Sequence, residues 1–443
     1  MASPKEHLLK AIELQPDFPD AHYQLAKMYA RDQEIPEAID QLETLLHDHP
    51  DHLEARDFLA KLHLQHAQYD QAKKHLESIL ENDPRNPDAH LQLARAAMGT
   101  NQPHDAIYHF EKVLQQDPDQ IEAYFQLGML HNSPEDFAKA RSYFETTIDF
   151  DTSHVEGHYQ LGMLLCHGFH YDHTGSLQHG GFDEEARNLF EDTLQLEPQH
   201  QGALAELGLL EATFGEIQKA KCTLSKALKL DPSRIDAWLK LAEINDEETM
   251  ETLQNALQHH PDYPTLHLHL ADEFLQRKRK QEAIEHFRKV LETSLLQTQI
   301  LKEQADEHLV HNQFFEARKI DEEIQEFSRQ KSEAHYQLAM LELEKEEVEQ
   351  ARHHLDEGIR ANPQHPGILH QLAIDEARSE NDDLAIEHLR KSVEIEIQNP
   401  DAHFLLGKLL EKKGDIQMSQ NHYLITLDLA PNHAEAKSKI IPT

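Results

Sequence analysis

Apolar residues recur along this chain at intervals of three and four, in short stretches separated by polar or turn-forming segments such as Arg31-Asp-Gln-Glu-Ile-Pro. That spacing is the period of an amphipathic α-helix, and consecutive stretches come in pairs, so the pattern predicts helical hairpins. The pairs also keep a ruler. Pro16, Pro50, Pro84 and Pro118 stand 34 residues apart, and five residues after each begins a related run: Ala21-His-Tyr-Gln-Leu-Ala, Ala55-Arg-Asp-Phe-Leu-Ala, Ala89-His-Leu-Gln-Leu-Ala and Ala123-Tyr-Phe-Gln-Leu-Gly. The next slot is Thr152. After a 12-residue insertion the ruler resumes at Pro198 and Pro232, loses five residues before Pro261, and then passes Leu295, Arg329, Pro363 and Ile397 to reach Pro431. Twelve units therefore stand in phase, a periodicity that dominates every later reading.

Proline is tolerated between units because one helix has ended and the next has not begun. The acidic residue four positions later falls in the first turn, where the helix dipole favours negative charge. Two slots hold small residues. One, in the first helix (A) of each hairpin, runs from Ala26, Ala60 and Ala94 through Gly128 and Gly162 to Gly407. The other, in the second helix (B), runs from Ala38 and Ala72 to Ala351 and Ala385. Small side chains let A and B approach closely, and a larger one there would overpack the contact. Four residues after the second slot comes a bulky apolar group such as Leu42, Phe110, Phe190 or Tyr423, which fills the space between hairpins.

This combination of proline, small and bulky slots at 34 residues resembles the tetratricopeptide repeat (TPR) family, over residues 17–430. The resemblance implies an all-α fold, a right-handed superhelical solenoid of about twelve helix-turn-helix repeats whose A helices line a concave groove. His22, His90, His158, His267, His335 and His403 stand where the family often has Trp, and the lone Trp238 keeps that slot. Residues 1–15 read as an orphan helix B capping the first repeat, and 432–443 as a polar terminal helix capping the last. The shortened repeat around Asn245 and the degenerate one at 296–328, with Gln304 and Asp321 in apolar slots, place any hinge between about 245 and 328.

The 39% hydrophobic content is modest, yet it is spread over the whole chain, which excludes general disorder. With 42 Lys and Arg against 81 Asp and Glu, the formal charge is −39. Such a surface repels phosphate backbones, so nucleic acid is excluded as a partner. Two cysteines make no disulfide framework, no stretch is long and apolar enough to span a membrane, and no leader precedes the first amphipathic run. The expected location is cytoplasmic, or exported if a leader was removed before this numbering. Protonating all 35 histidines would move the charge from −39 to −4, which raises a pH-sensitive assembly state beside the plainer reading of solvated histidine.

No Gly-rich phosphate loop, metalloprotease motif or serine nucleophile elbow occurs, so neither catalysis nor a cofactor is expected. One segment lies outside the repeat. The insertion at 166–181 brings Cys166, His167, His170, Asp172, His173 and His179 within fourteen residues, ligand types that suit zinc, nickel or copper, though at no zinc-finger spacing. The same segment also reads as a partner-contacting or simply glycine-containing loop.

By the family resemblance, the second, fifth, sixth and ninth positions of helix A face the groove. The fifth holds Tyr23, Phe125, Tyr159, Tyr336 and Phe404; the sixth holds Gln24, Gln92, Gln126, Gln160, Gln337 and Gln371; the ninth includes Lys27, Lys61, Arg95, Met129, Met163 and Met340. Amides both donate and accept, so a row of them can grip a peptide backbone, while aromatic and Met surfaces suit apolar side chains. The plainer alternative is Gln as a helix former on a wet face, with the aromatics packing on neighbouring helices. The expected function is a non-catalytic scaffold that holds a basic or amphipathic segment of a partner protein or peptide. The alternative is a subunit that assembles into a homo-oligomer or filament through end-to-end or loop contacts.

Overall fold

The computed structural model describes residues 3–131, 136–171, 177–179, 181–245, 248–310 and 314–440. The chain divides into two compact units, Met1–Leu210 and Glu211–Thr443. In the first unit the helices are α1 (Pro4–Leu14), α2 (Pro19–Arg31), α3 (Ile35–Asp48), α4 (Leu53–Gln65), α5 (Tyr69–Asn82), α6 (Pro87–Gly99), α7 (Pro103–Gln116), α8 (Ile121–Leu130), α9 (Phe137–Phe150), α10 (Val155–His167) and α11 (Asp183–Leu196). Helix α12 (Gln201–Thr213) carries the boundary. The second unit continues with α13 (Ile217–Leu230), α14 (Ile235–Ile244), α15 (Thr249–His259), α16 (Pro264–Gln276), α17 (Lys280–Val310), α18 (Phe314–Leu343), α19 (Val348–Ala361), α20 (Pro366–Arg378), α21 (Asp382–Ile395), α22 (Pro400–Lys412), α23 (Ile416–Leu429) and α24 (Ala434–Lys439). The fold is an all-α helical repeat, with sequential helices packed as neighbours inside each unit.

In eight hairpins the turn recurs at one slot. Gln33, Ala67, Asn101, Lys278, Glu346 and Glu380 all have φ between 54° and 65°, and Gly215 and Gly414 occupy the same place. The residue after the turn donates its N–H to the carbonyl five back, as in Glu34 to Tyr29 (2.9 Å), Gln68 to His63 (2.8 Å) and Asn381 to Glu376 (2.9 Å). This left-handed closure satisfies carbonyls that the end of helix A would otherwise orphan.

The small slots do the packing. At Gly128 and Gly162 an added Cβ would stand 2.7 Å from the rings of Phe144 and Phe190, and at Gly407 it would stand 2.9 Å from Tyr423. Phe190 and Tyr423 are wholly buried. At Ala26 and Ala60 the facing residue is the smaller Leu42 or Leu76, also wholly buried, whereas Ala94 and Ala271 pack in one core with the full-sized Phe110 and Phe287.

Two features differ from the sequence-based expectation. The ninth repeat is not a separate hairpin: its first helix is continuous with the preceding one as the 31-residue α17, and its second runs into the next as the 30-residue α18. The reason is local. The ruler slots there are Leu295 and Arg329, and neither helix contains Gly, Pro or Asn to end it. The insertion, expected as a loop, holds a short antiparallel ladder of β1 (Phe169–Tyr171) and β2 (Leu177–His179), with Phe169 opposite His179.

Candidate functional site

Numbering helix A from its first residue, Pro19 in the first repeat, the fourth position ties several repeats to the carbonyl that opens them. His90 Nε2–H donates to the Pro84 carbonyl (3.2 Å), His267 to Pro261 (2.9 Å) and His403 to Ile397 (3.0 Å). Trp238 Nε1–H makes the same bond to Pro232 (3.0 Å). Histidine thus replaces Trp because its ring N–H reaches the same carbonyl. The second ring nitrogen turns to helix B. Nδ1 of His90 faces Nδ1 of His109 at 3.0 Å, His267 faces His286 at 3.0 Å, His335 faces His354 at 2.9 Å and His403 faces His422 at 3.0 Å. In the first repeat the partner of His22 is Gln41, at 2.9 Å. The helix B histidines escaped the sequence reading, although their constant separation of 19 residues from the helix A histidine was available as a signal.

The fifth-position aromatics stack on a histidine of the following repeat. Tyr23 lies 5.6 Å from His52, Phe125 5.0 Å from His154, Tyr159 4.5 Å from His200, Tyr336 5.1 Å from His365 and Phe404 4.4 Å from His433, between ring centroids. Each of those histidines caps the next helix A, its Nδ1 accepting a backbone N–H three residues on, from Ala55, Gly157, Ala203, Ile368 and Ala436. These caps satisfy orphan donors at the helix start. The aromatic row is therefore engaged in joining successive repeats. Only half-exposed edges of its rings remain outward. Burial pushes the Tyr23 and Tyr336 hydroxyls up from their usual range.

The sixth-position amides divide. Gln160 and Gln337 donate to Glu156 and Glu333 one turn back (both 2.7 Å), and Gln92, which is buried, accepts from Arg95 at 3.4 Å. The side-chain amides of Gln24, Gln126 and Gln371 make no hydrogen bond among the described residues. At the ninth position Lys61 pairs with Asp57 at 2.7 Å, Arg95 with Glu122 at 2.9 Å, and Lys27 lies over the Tyr23 ring at 5.4 Å. In the first unit Lys61, Gln92 and Arg95 line a concavity of about 460 Å³ with Leu64, Gln65 and Tyr69. In the second, a concavity of about 580 Å³ lies between α20, α22 and α24, lined by Ile374, Arg378, Leu405, Lys408, Lys412 and Lys439 among others. Lys412 pairs with the buried Asp382 (2.6 Å) and Lys439 with Glu411 (2.9 Å), while Arg378 and Lys408 have no ion-pair partner among the described residues.

Of the six metal-ligand candidates, Cys166 is half-buried near the end of α10 and unpaired with another cysteine. His167 Nε2 lies 2.6 Å from the buried Glu206 carboxylate. Hydrogen bonding to Cys166 and then to Glu206 holds His167 protonated, its pKa raised to about 10. A protonated imidazole is no ligand. His170 and His179 stand on β1 and β2, whereas Asp172 and His173 lie outside the described residues. Among the described residues, no group of three His, Cys, Asp or Glu side chains could hold a metal ion. No helix among them is long and apolar enough to cross a membrane.

Comparison with known families gives two matches, both described as tetratricopeptide repeat. One model matches residues 59–121, 91–155 and 251–294, and a second matches residues 5–62. No curated protein matches the sequence. Among solved structures, YrrB, described as a TPR protein with an unusual peptide-binding site, is 20% identical over 53% of this chain and 96% of its own, with a TM-score of 0.30. The C-terminal part of a TPR repeat-containing protein from Cytophaga hutchinsonii is 17% identical over 55% and 97%, with a TM-score of 0.43. Yeast Tom70 is 16% identical over 95% and 94%, with a TM-score of 0.33.

Proposed function

The chain belongs to the tetratricopeptide repeat family, and from that premise we propose that it is a non-catalytic scaffold whose helix A face holds an extended or helical segment of a partner protein. The observation that carries this reading is the set of uncommitted amides. Gln24, Gln126 and Gln371 recur at one position of three repeats and their side chains find no protein partner among the described residues, while Tyr23 and Phe125 beside the first two are fixed by packing. A helix that needed only a soluble face would serve as well with Glu or Lys. An amide adds a paired donor and acceptor, which is what a peptide bond offers in return.

By the same family resemblance, the carboxylates at the second position of helix A, including Asp20, Glu54 and Asp88, belong to that face, together with Glu122 and Glu156, which also hold Arg95 and Gln160. With a net charge of −39 behind them, they favour a basic or amphipathic segment and steer its approach. The two concavities, about 460 Å³ and 580 Å³, are open clefts whose linings include Lys61 and Arg95 in one and Arg378, Lys408, Lys412 and Lys439 in the other, so they would take acidic or apolar side chains of an amphipathic segment.

Affinity capture from native extract tests the reading, comparing the intact chain with a Gln24→Ala, Gln126→Ala, Gln371→Ala variant. These positions are exposed or half-buried, so the fold should survive, as circular dichroism would verify. Loss of specific partners from the variant is the expected result. Equal recovery of every partner would remove the helix A face as the contact.

A further inference from the structure

The four histidine pairs share one geometry. His90 and His109, His267 and His286, His335 and His354, and His403 and His422 each bring Nδ1 against Nδ1 at 2.9–3.0 Å, across the contact between helices A and B of one repeat. At that distance one hydrogen must lie between the two nitrogens. In three of the pairs the helix A ring already donates through Nε2 to the carbonyl at the start of its repeat. Its Nδ1 is therefore the acceptor, and the helix B ring donates. A first added proton can be absorbed, because the helix B ring can move its hydrogen to Nε2 and accept at Nδ1. A second cannot: two imidazolium rings would press N–H against N–H with like charges in contact.

The surroundings offer little relief. Around His109 stand Asp105 and Lys73, one of each sign. His267 meets Lys289, Asp262 and Glu292, while the ring of Phe274 stacks on His286 at 5.4 Å. His335 and His354 face Lys331, His353, Arg288 and Glu357, and Glu342 lies 3.5 Å from His354 Nε2. His422 faces Arg390. The helix A members are all buried.

We infer that these pairs form an acid-release lock: each holds helix A to helix B while it carries at most one extra proton, and uptake of the second parts the two helices. Burial and the neighbouring ring push His109 and His286 down to about 4, and burial likewise lowers His335 to about 4 and lowers His267, His354 and His422. Their folded values lie below the unfolded 6.5, so the unfolded chain binds more protons in between. The stability they lend is complete above about pH 6.5 and is lost as pH falls toward 4. Three of the four pairs are in the second unit, so it should open first.

The first repeat supplies the control, because its helix B partner is an amide. Gln41 can present either an N–H or a carbonyl to His22, depending on how the amide is turned, and so tolerates both charge states. The test is acid unfolding of the full chain by far-ultraviolet circular dichroism, compared with a His109→Gln, His286→Gln, His354→Gln, His422→Gln variant. The intact chain should unfold between pH 6.5 and 4 with uptake of about four more protons than the variant, one per pair, and the variant midpoint should lie about one pH unit lower. Equal midpoints and equal proton uptake would overturn the lock. If the variant does not fold at pH 8, imidazole NMR of the intact chain decides. Retention of four neutral rings to pH 5 supports the lock, and eight rings titrating together near 6.5 with the helices intact refutes it.

Discussion

At the scale of single residues, the contact between helices A and B is closest where glycine meets an aromatic ring, at Gly128, Gly162 and Gly407. Gly162 faces the wholly buried Phe190 so closely that a Cβ would stand 2.7 Å from the ring. Alanine is the better helix former by about 1 kcal/mol, but overpacking a closed contact costs about 1–3 kcal/mol, so the clash should win. Gly162→Ala is expected to destabilise the chain by up to about 2 kcal/mol in urea unfolding, and Phe190→Leu by about 1–2 kcal/mol through the void it leaves. The double variant copies the natural Ala60 and Leu76 pairing of the second repeat, and should cost about 1 kcal/mol less than the sum of the two. Strict additivity would show that the slots are independent. These slots were legible in the sequence because small and bulky residues recur at fixed offsets. The helix B histidines were not, since their meaning depends on a partner 19 residues away across the hairpin. The aromatics were legible as a row, but their engagement with the capping histidines follows from a 29-residue offset in the four uninterrupted cases that only the geometry makes evident.

At the scale of elements, the punctuation of the chain decides where helices stop. Hairpins are legible wherever Pro, Asn or an Asp-x-Ser turn breaks the apolar period, and the structure departs from the expected pattern only where such residues are missing. Leu295 occupies a proline slot of the ruler yet sits inside α17, and it is 68% exposed, so its side chain contributes little packing. Leu295→Pro should remove the bond its N–H makes to Leu291 and set its ring against that carbonyl, costing about 3 kcal/mol. Leu295→Ala, an equally good helix former at an exposed site, should lie within about 0.5 kcal/mol of the parent. Denaturant midpoints of the two variants check this, and equal midpoints would mean that α17 is already broken there in solution. The short ladder of β1 and β2 had no comparable signal, since strands of three residues are too brief for an alternating pattern to register.

At the scale of the whole molecule, charge acts on folding and on binding with opposite sign. The excess of 81 acidic over 42 basic side chains makes self-repulsion the dominant long-range term, whereas most of the ion pairs are exposed and individually worth about 0–1 kcal/mol. Raising NaCl from about 0.05 to 0.5 M shortens the screening length from more than 10 Å to less than 5 Å, weakening repulsion between carboxylates on neighbouring helices more than it weakens close pairs such as Lys412 with the buried Asp382. The melting temperature at pH 8 should therefore rise with salt. Capture of a basic or amphipathic partner by the helix A face should fall over the same range, because the field that steers it is the field that salt removes. The histidine pairs are joined by hydrogen bonds between rings and not by opposite charges, so they should not contribute to either trend. A melting temperature that falls with salt would mean that ion pairs, not repulsion, govern the surface. Capture that strengthens with salt would mean that apolar contact, not the carboxylate row, selects the partner.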